Sequence, residues 1–243
     1  MITFLINAIK IIIMLGFLVF IHEGGHFLVA KLCKIKVNEF AIGFGPTIFT
    51  KEKGGTKYAL RLIPLGGFVS MEGEEERSDA EGSFSNASVW KRIAIVSAGG
   101  LVNIIFGLLT YLILVATISD IATAFIAVKN YIVLVFNSLI DLFTGGVSAN
   151  QMVGIVGISN IVVNTSGIQD YLSIMASISV SLGITNLLPF PPLDGGKIVI
   201  YLIEAIRRKP LKEETELRIQ NWGLAILIAI FIFVTYNDIV RII

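Results

Sequence analysis

Charged side chains are few in this 243-residue chain. Asp, Glu, Lys and Arg supply 15% of it, hydrophobic residues 55%, and the mean hydropathy is +0.83. A soluble globule is about a quarter charged, so the composition excludes an ordinary soluble domain and points to an integral membrane protein. The net charge of +1 leaves no electrostatic footprint for nucleic acid. Cysteine occurs once, at Cys33, which excludes an intrachain disulfide framework. Histidine occurs twice, at His22 and His26. A three-histidine metal site is therefore excluded, and any third protein ligand has to be a carboxylate or Cys33. The N-terminus lacks a basic region and a small-residue cleavage site, so its apolar run is expected to be a retained span and not a signal peptide.

Both histidines fall in one motif, His22-Glu23-Gly24-Gly25-His26, inside that apolar run. On a helix, residues four apart share a face, so both imidazoles can reach one ion. Glu23, beside the first of them, is placed to take a proton from an attacking water. Soluble proteins contain H-E-x-x-H by chance. Within a membrane helix chance is a poorer account, because His and Glu are costly there and mark function by default. Gly24 and Gly25 are expected to permit close approach of another backbone.

Hydropathy predicts four spans, at about 2–30, 93–118, 171–193 and 222–240. Residues 31–92 form a cytoplasmic loop with short strands at 37–44, 47–52 and 57–63, punctuated by Gly43-Phe44-Gly45-Pro46 and Pro64-Leu65-Gly66-Gly67. The acidic stretch 72–81 reads as a solvated surface loop. Residues 121–143 carry Thr123, Asn130, Asn137 and Asp141 on one helical stripe, which suits a helix lying at the interface. Residues 144–170 read as loop, and 197–221 as a basic helical segment. The third span ends in Asn186-Leu187-Leu188-Pro189-Phe190-Pro191-Pro192-Leu193-Asp194, where three prolines break the helix. Such a break is tolerated at membrane depth only beside protein or a water-filled cavity. The fold expected is mainly α, a single polytopic membrane domain over 1–243, with four transmembrane helices, a small membrane-associated sheet after the first, and a proline-broken third helix. Ten of the 19 Lys and Arg lie in 31–92 and six in 194–221, with Lys129 alone in 119–170. The positive-inside rule then makes 31–92 and 194–221 cytoplasmic and puts both termini outside. The His22 end of the first span and the Asp194 end of the third fall on the same, cytoplasmic, side.

That agreement selects Asp194 as the third ligand over Glu39, which a strand should point into solvent or headgroups, and over Glu52 and the acidic loop. The competing role for Asp194 is a helix N-cap. Cys33 lies about 10 Å along the helix axis from His26, too far to share an ion, and suits a packed thiol. Asn186, next to the break, is a candidate to bind substrate backbone. Asn103 suits an interhelical hydrogen bond.

Together these residues resemble the site-2 protease family of intramembrane zinc metalloproteases, peptidase family M50, in its bacterial branch that includes the regulator of sigma-E protease. The motifs are His22-Glu23-x-x-His26, Phe44-Gly45-Pro46, Pro64-Leu65-Gly66-Gly67-Phe68-Val69, Ser97-Ala98-Gly99-Gly100-x-x-Asn103 and Asn186-x-x-Pro189-x-Pro191-x-Leu193-Asp194-Gly195. The resemblance implies Zn2+ held by His22, His26 and Asp194, with Glu23 as catalytic base and Asn186 contacting substrate. It implies cleavage of single-pass transmembrane proteins, such as anti-sigma factors or remnant signal peptides, within the lipid of a bacterial inner membrane. Gly24 stands where the family has Leu, and Gly100 where it has Pro. Residues 119–170 are too few for the PDZ domain of that branch, so none is expected. Two other classes compete. A metal transporter would spread polar groups over several depths, whereas here they cluster at one. A non-catalytic membrane adaptor with a vestigial motif would have no use for Glu23.

Overall fold

A computed structural model describes residues 2–74, 76–146, 154–163, 165 and 167–242. Its elements run α1 (Ile2–Leu32), β1 (Val37–Lys53), β2 (Thr56–Met71), α2 (Val89–Ile118), α3 (Ile121–Thr144), α4 (Ile155–Val163), α5 (Ile168–Leu187), α6 (Asp194–Arg207) and α7 (Glu213–Ile242). The chain is mainly helical, with one small antiparallel sheet following the first helix.

Among the described residues, four helices are long and apolar enough to cross a membrane: Ala8–Leu32, Val89–Ile118, Ile121–Asp141 and Glu213–Val240. The number agrees with hydropathy, but the set does not. The expected interfacial helix at 121–143 is α3, which qualifies by length and composition, and its Phe125, Ile126 and Phe136 are exposed. The expected third span is α5, which does not qualify. The reason lies in its composition, since Ser173, Ser177, Ser179, Ser181, Thr185 and Asn186 dilute the apolar residues. Of these, Ser181 and Thr185 are exposed, whereas Ser179 faces protein. Ser179 is fully buried and donates to the Asn103 carbonyl at 2.8 Å. Such interhelical bonds contribute about 0.6 kcal/mol each in a bilayer. At 20 residues, α5 is nonetheless about 30 Å long. It runs from the level of Lys10, whose carbonyl accepts from the Tyr171 hydroxyl at 2.9 Å, down to the Gly100 level of α2. The α2–α5 contact is the closest helix pairing, made possible because Gly183 and Gly100 present bare backbone to one another.

Two further expectations change. Residues 144–170 contain the helix α4, whose Val162 packs with Met14, Leu18 and Met175 in one apolar cluster. The helix predicted over 197–221 is two helices, α6 and the start of α7, parted where Arg208 adopts a left-handed backbone with φ of +53°.

The three short strands predicted are two long bent ones. β2 residues 67–70 pair antiparallel with 39–42 of β1, and 56–61 pair with 47–53. The expected punctuation is real but lies inside the strands. Gly43, Gly45 and Gly66 have positive φ, which only glycine adopts freely, and they bend the ribbons. Phe44, Ile48, Phe49, Leu60 and Leu62 of the sheet are exposed. A second core cluster, including Ala30, Val37, Met71, Ile95 and Tyr201, ties the sheet base to the ends of α1, α2 and α6. In the acidic stretch after β2, Glu76, Asp79 and Glu81 are exposed as expected, but its start is held to the fold. Glu72 accepts from Ser78 and Asn38, and Glu74 pairs with Lys197 at 2.9 Å.

Candidate metal centre

His22 and His26 sit two turns from the end of α1 on one face, both 8% exposed. The Nδ1 of His26 lies 2.8 Å from the Ile95 carbonyl of α2, so Nδ1 carries the proton and Nε2 keeps a free lone pair. Asp194 arrives from the other end of the chain as the first residue of α6. The six-residue stretch 188–193 between α5 and α6 makes this possible. An unbroken helix would carry Asp194 about 10 Å farther along its axis.

The two Nε2 atoms are 3.2 Å apart, and Asp194 Oδ2 lies 3.2 Å from the one and 3.4 Å from the other. Two ligands of a tetrahedral zinc ion, each bonded at about 2.05 Å, are about 3.3 Å apart. The triangle therefore has the dimensions of one face of a zinc tetrahedron. Its hydrogen bonding supports the fit. Asp194 Oδ2 is buried and, although close to both nitrogens, has hydrogen-bond geometry to neither. The three atoms converge on a common point. These residues are the metal-capable His, Cys, Asp and Glu group found among the described residues.

Backbone without side chains frames the centre. A Cβ at Gly99 of α2 would run into Nε2 and Cε1 of His26 and lie 2.8 Å from Cε1 of His22. A Cβ on Gly67 of β2 would lie 3.4 Å from the Glu23 Cγ, so the strand backbone lies against the candidate base. Glu23 is outside the ligand triangle and within electrostatic range of His22, His26 and Asp194. The paired glycines of the motif behave differently. Gly25 lies on the Ala98 carbonyl, whereas nothing lies within 4 Å of a Cβ at Gly24, which opens on an apolar cleft of about 640 Å³.

Other candidates fall away from the centre. Glu39 is held by Arg61 at 2.6 Å and Lys57 at 3.4 Å, so its side chain is 17% exposed and not in open solvent as expected. Cys33 packs against the core cluster at the base of the sheet. Asn103 is fully buried, but the interhelical bond it makes runs through its backbone carbonyl, and its carboxamide has no hydrogen-bond partner. Asn186 is half-buried in the last turn of α5, at the same end of the helices as the centre but outside the triangle.

Sequence reasoning missed the polar face of α6. Asp194, Lys197, Tyr201 and Glu204 recur at spacings of three, four and three, which is one helical stripe. Lys197 meets Glu74, and Glu204 meets Arg92 at 2.9 Å and the Leu211 amide at 2.7 Å. The periodicity is present in the sequence, but a basic helical segment over 197–221 gives no sign of the partners that the stripe meets.

The whole arrangement has known relatives. A model of peptidase family M50 matches residues 10–230. Among curated proteins, the chain is 28% identical to the "Putative zinc metalloprotease FN1322" of Fusobacterium nucleatum, covering 98% of each. It is 27% identical to the "Putative zinc metalloprotease Atu1380" of Agrobacterium fabrum, covering 95% of each, and 26% identical to a protein of Clostridium acetobutylicum with the same description. These alignments run over 330 to 361 positions, more than the chain has, so the relatives carry residues that this chain lacks. With the motif on an apolar helix and the match extending over nearly its full length, the chain belongs to peptidase family M50.

Proposed function

We propose that this chain is a zinc-dependent intramembrane endopeptidase that hydrolyses peptide bonds in transmembrane segments of single-pass proteins. The observation that carries the proposal is the triangle of His22, His26 and Asp194, with sides of 3.2, 3.2 and 3.4 Å, two of its corners on α1, a helix of membrane-spanning length, and the third at the start of α6. The naming of the relatives as zinc metalloproteases supports it.

Zinc in such a site supplies Lewis acidity that polarises the scissile carbonyl and makes water acidic enough to lose a proton near neutral pH. The chain's own residues do the rest. His22 and His26 offer neutral imidazole Nε2 lone pairs, and the Ile95 carbonyl holds the His26 ring in the productive tautomer. Glu23 takes the proton of the attacking water and returns it to the leaving amine. A helical substrate hides its carbonyls in its own hydrogen bonds and must be locally unwound. The 67–71 segment of β2 pairs with β1 on one side, and its backbone lies against Glu23. Its other edge is suited to take an extended substrate by strand addition. Asn186, at the α5 terminus, is placed to hydrogen-bond substrate backbone beyond the break.

The same reading places the centre toward the cytoplasmic side of a bacterial inner membrane, with both termini outside. Lys and Arg concentrate in the two segments that meet on one side of the fold, where Arg77 donates to the Leu211 carbonyl. The family resemblance points to anti-sigma factors or remnant signal peptides as substrates.

The test uses purified protein in detergent with a single-span peptide. Wild type should contain zinc and cut the peptide, and a chelator should stop it. Glu23→Gln should keep its zinc and lose about 10²- to 10⁴-fold in rate. Cleavage indifferent to chelator, or unchanged in Glu23→Gln, would refute the mechanism.

A further inference from the structure

The described part of α6 presents four side chains in one line from the metal centre to the loop before α7, and the second of them has no role in the chemistry above. Lys197 lies one turn beyond Asp194. Its Nζ is 2.9 Å from Glu74 Oε1, with the two side chains 26% and 16% exposed. Withdrawing an ammonium and a carboxylate from water costs several kcal/mol, which pairing offsets only in good geometry. An exposed surface pair would give similar solubility without that cost.

The need for the pair follows from how α6 begins. The stretch before it is broken by Pro189, Pro191 and Pro192, and its N-cap, Leu193, offers no side-chain hydrogen bond. The preceding backbone bears on the first turn of α6, with Gly195 against Leu187 and Leu188 and Gly196 against Phe190 and Pro191, and contacts farther along α6 add to that seat in holding its rotation about its axis. A helix rotation of one residue is 100°, which would sweep Asp194 out of the triangle. The polar stripe supplies a side-chain constraint along the helix. At the far end Glu204 is fixed to Arg92 of α2, whose guanidinium also lies over the Tyr201 ring at 4.7 Å. At the near end the fixing contact is Lys197 with Glu74.

Glu74 in turn lies three residues beyond the end of β2, the strand whose Gly67 abuts Glu23. The chain then continues to Arg77, which reaches Leu211 and Glu213 at the start of α7. The segment after β2 thus straps the strand beside the base to the helix that bears the third ligand.

We propose that Lys197 is a positioning residue for Asp194, acting through Glu74, and that this pair couples the strand beside Glu23 to the third metal ligand. The inference rests on zinc being the ion held by His22, His26 and Asp194, so the test reads zinc affinity and needs no peptide substrate. The full chain in detergent is stripped with a chelator and titrated with zinc against a fluorescent competitor. Thermal unfolding of the metal-free form is followed alongside.

Lys197→Met and Glu74→Gln should each weaken zinc binding by about 10- to 100-fold, the usual effect of removing an outer partner of a ligand. The double variant should lose no more than either single one, because the two act as a unit. Lys197→Arg should retain most of the affinity. Arg77→Gln, at the far end of the strap, should leave it unchanged. Wild-type affinity in both Lys197→Met and Glu74→Gln, with or without a lower unfolding temperature, overturns the positioning role, as do losses that add in the double variant. Should Lys197→Met not fold, Glu74→Gln on its loop carries the same expectation and the same refutation. A wild-type chain that takes up no zinc overturns the metal-centre premise itself, which equal binding by wild type and variants does not.

Discussion

Asp194 and Asp238 are both carboxylates withdrawn from water, at opposite ends of the molecule, and they have opposite surroundings. Asp238 on α7 is 1% exposed, and its Oδ2 accepts from the backbone amides of Gly154 and Gly157 at 2.9 and 2.8 Å. It caps the N-terminus of α4 from another helix, where donors and the helix dipole both favour a negative charge. Asp194 also stands at a helix start, which is why a capping role competes for it in the sequence. Its Oδ2, however, is turned to two imidazole nitrogens and hydrogen-bonds to neither. A carboxylate facing N–H donors is structural. One facing two imidazole nitrogens at 3.2 to 3.4 Å is arranged to share a cation with them.

The sharpest way to break this contrast is to truncate both. Asp194→Ala should abolish stoichiometric zinc and lower peptide cleavage by about 1,000-fold, since several kcal/mol of transition-state stabilisation goes with the ion. Asp238→Ala should keep zinc and cost about 0.5–2 kcal/mol of stability through the lost cap. Metal analysis and thermal unfolding of the two variants read both. Full zinc in Asp194→Ala would reduce it to a second cap. Gly99→Ala refines the same point at smaller amplitude. Its Cβ would displace the imidazoles without touching any ligand's chemistry, so zinc affinity should fall about 10- to 100-fold, as for loss of an outer-shell support. Unaltered affinity would mean that the triangle tolerates displacement and is not a tight site.

How much of this was legible in the sequence depended on whether local or distant chemistry set the outcome. H-E-x-x-H fixes two ligands by helical spacing alone, and the three prolines before Asp194 announce an unwound approach. The identity of the spanning helices was less legible. α5 packs along α2, so it can carry Ser179 against that helix and still run the depth of the fold. Hydropathy measures affinity for lipid, and this side of α5 faces protein. α3 shows the converse, with its polar stripe of Asn130, Asn137 and Asp141 exposed beside Phe125 and Phe136. The strand bends at Gly43, Gly45 and Gly66 looked like strand ends because a glycine reads the same in a turn and in a bend. The Glu74–Lys197 pair joins residues 123 positions apart, and no local pattern announces such a partner.

Glu39 supplies a third carboxylate environment and the smallest effect. Partial burial works to raise its pKa, but Arg61 and Lys57 beside it prevail and hold the carboxyl below its ordinary value. A carboxylate held below its unfolded value stabilises the fold above the ordinary glutamate pKa of about 4.3, and that contribution fades as pH falls through the folded value. Neutral pH is therefore the stable side. Arg61 and Lys57 are partly exposed, so the contribution should be under about 1 kcal/mol. Arg61→Gln should lower the unfolding temperature slightly at pH 7, and the difference from wild type should shrink as the solution is acidified below the glutamate range. The comparison is made on the metal-free form, where protonation of the zinc ligands adds no metal-release term. A difference that grew on acidification would mean that Glu39 answers to something other than its two cations, and the three-way contrast among buried carboxylates would lose one member.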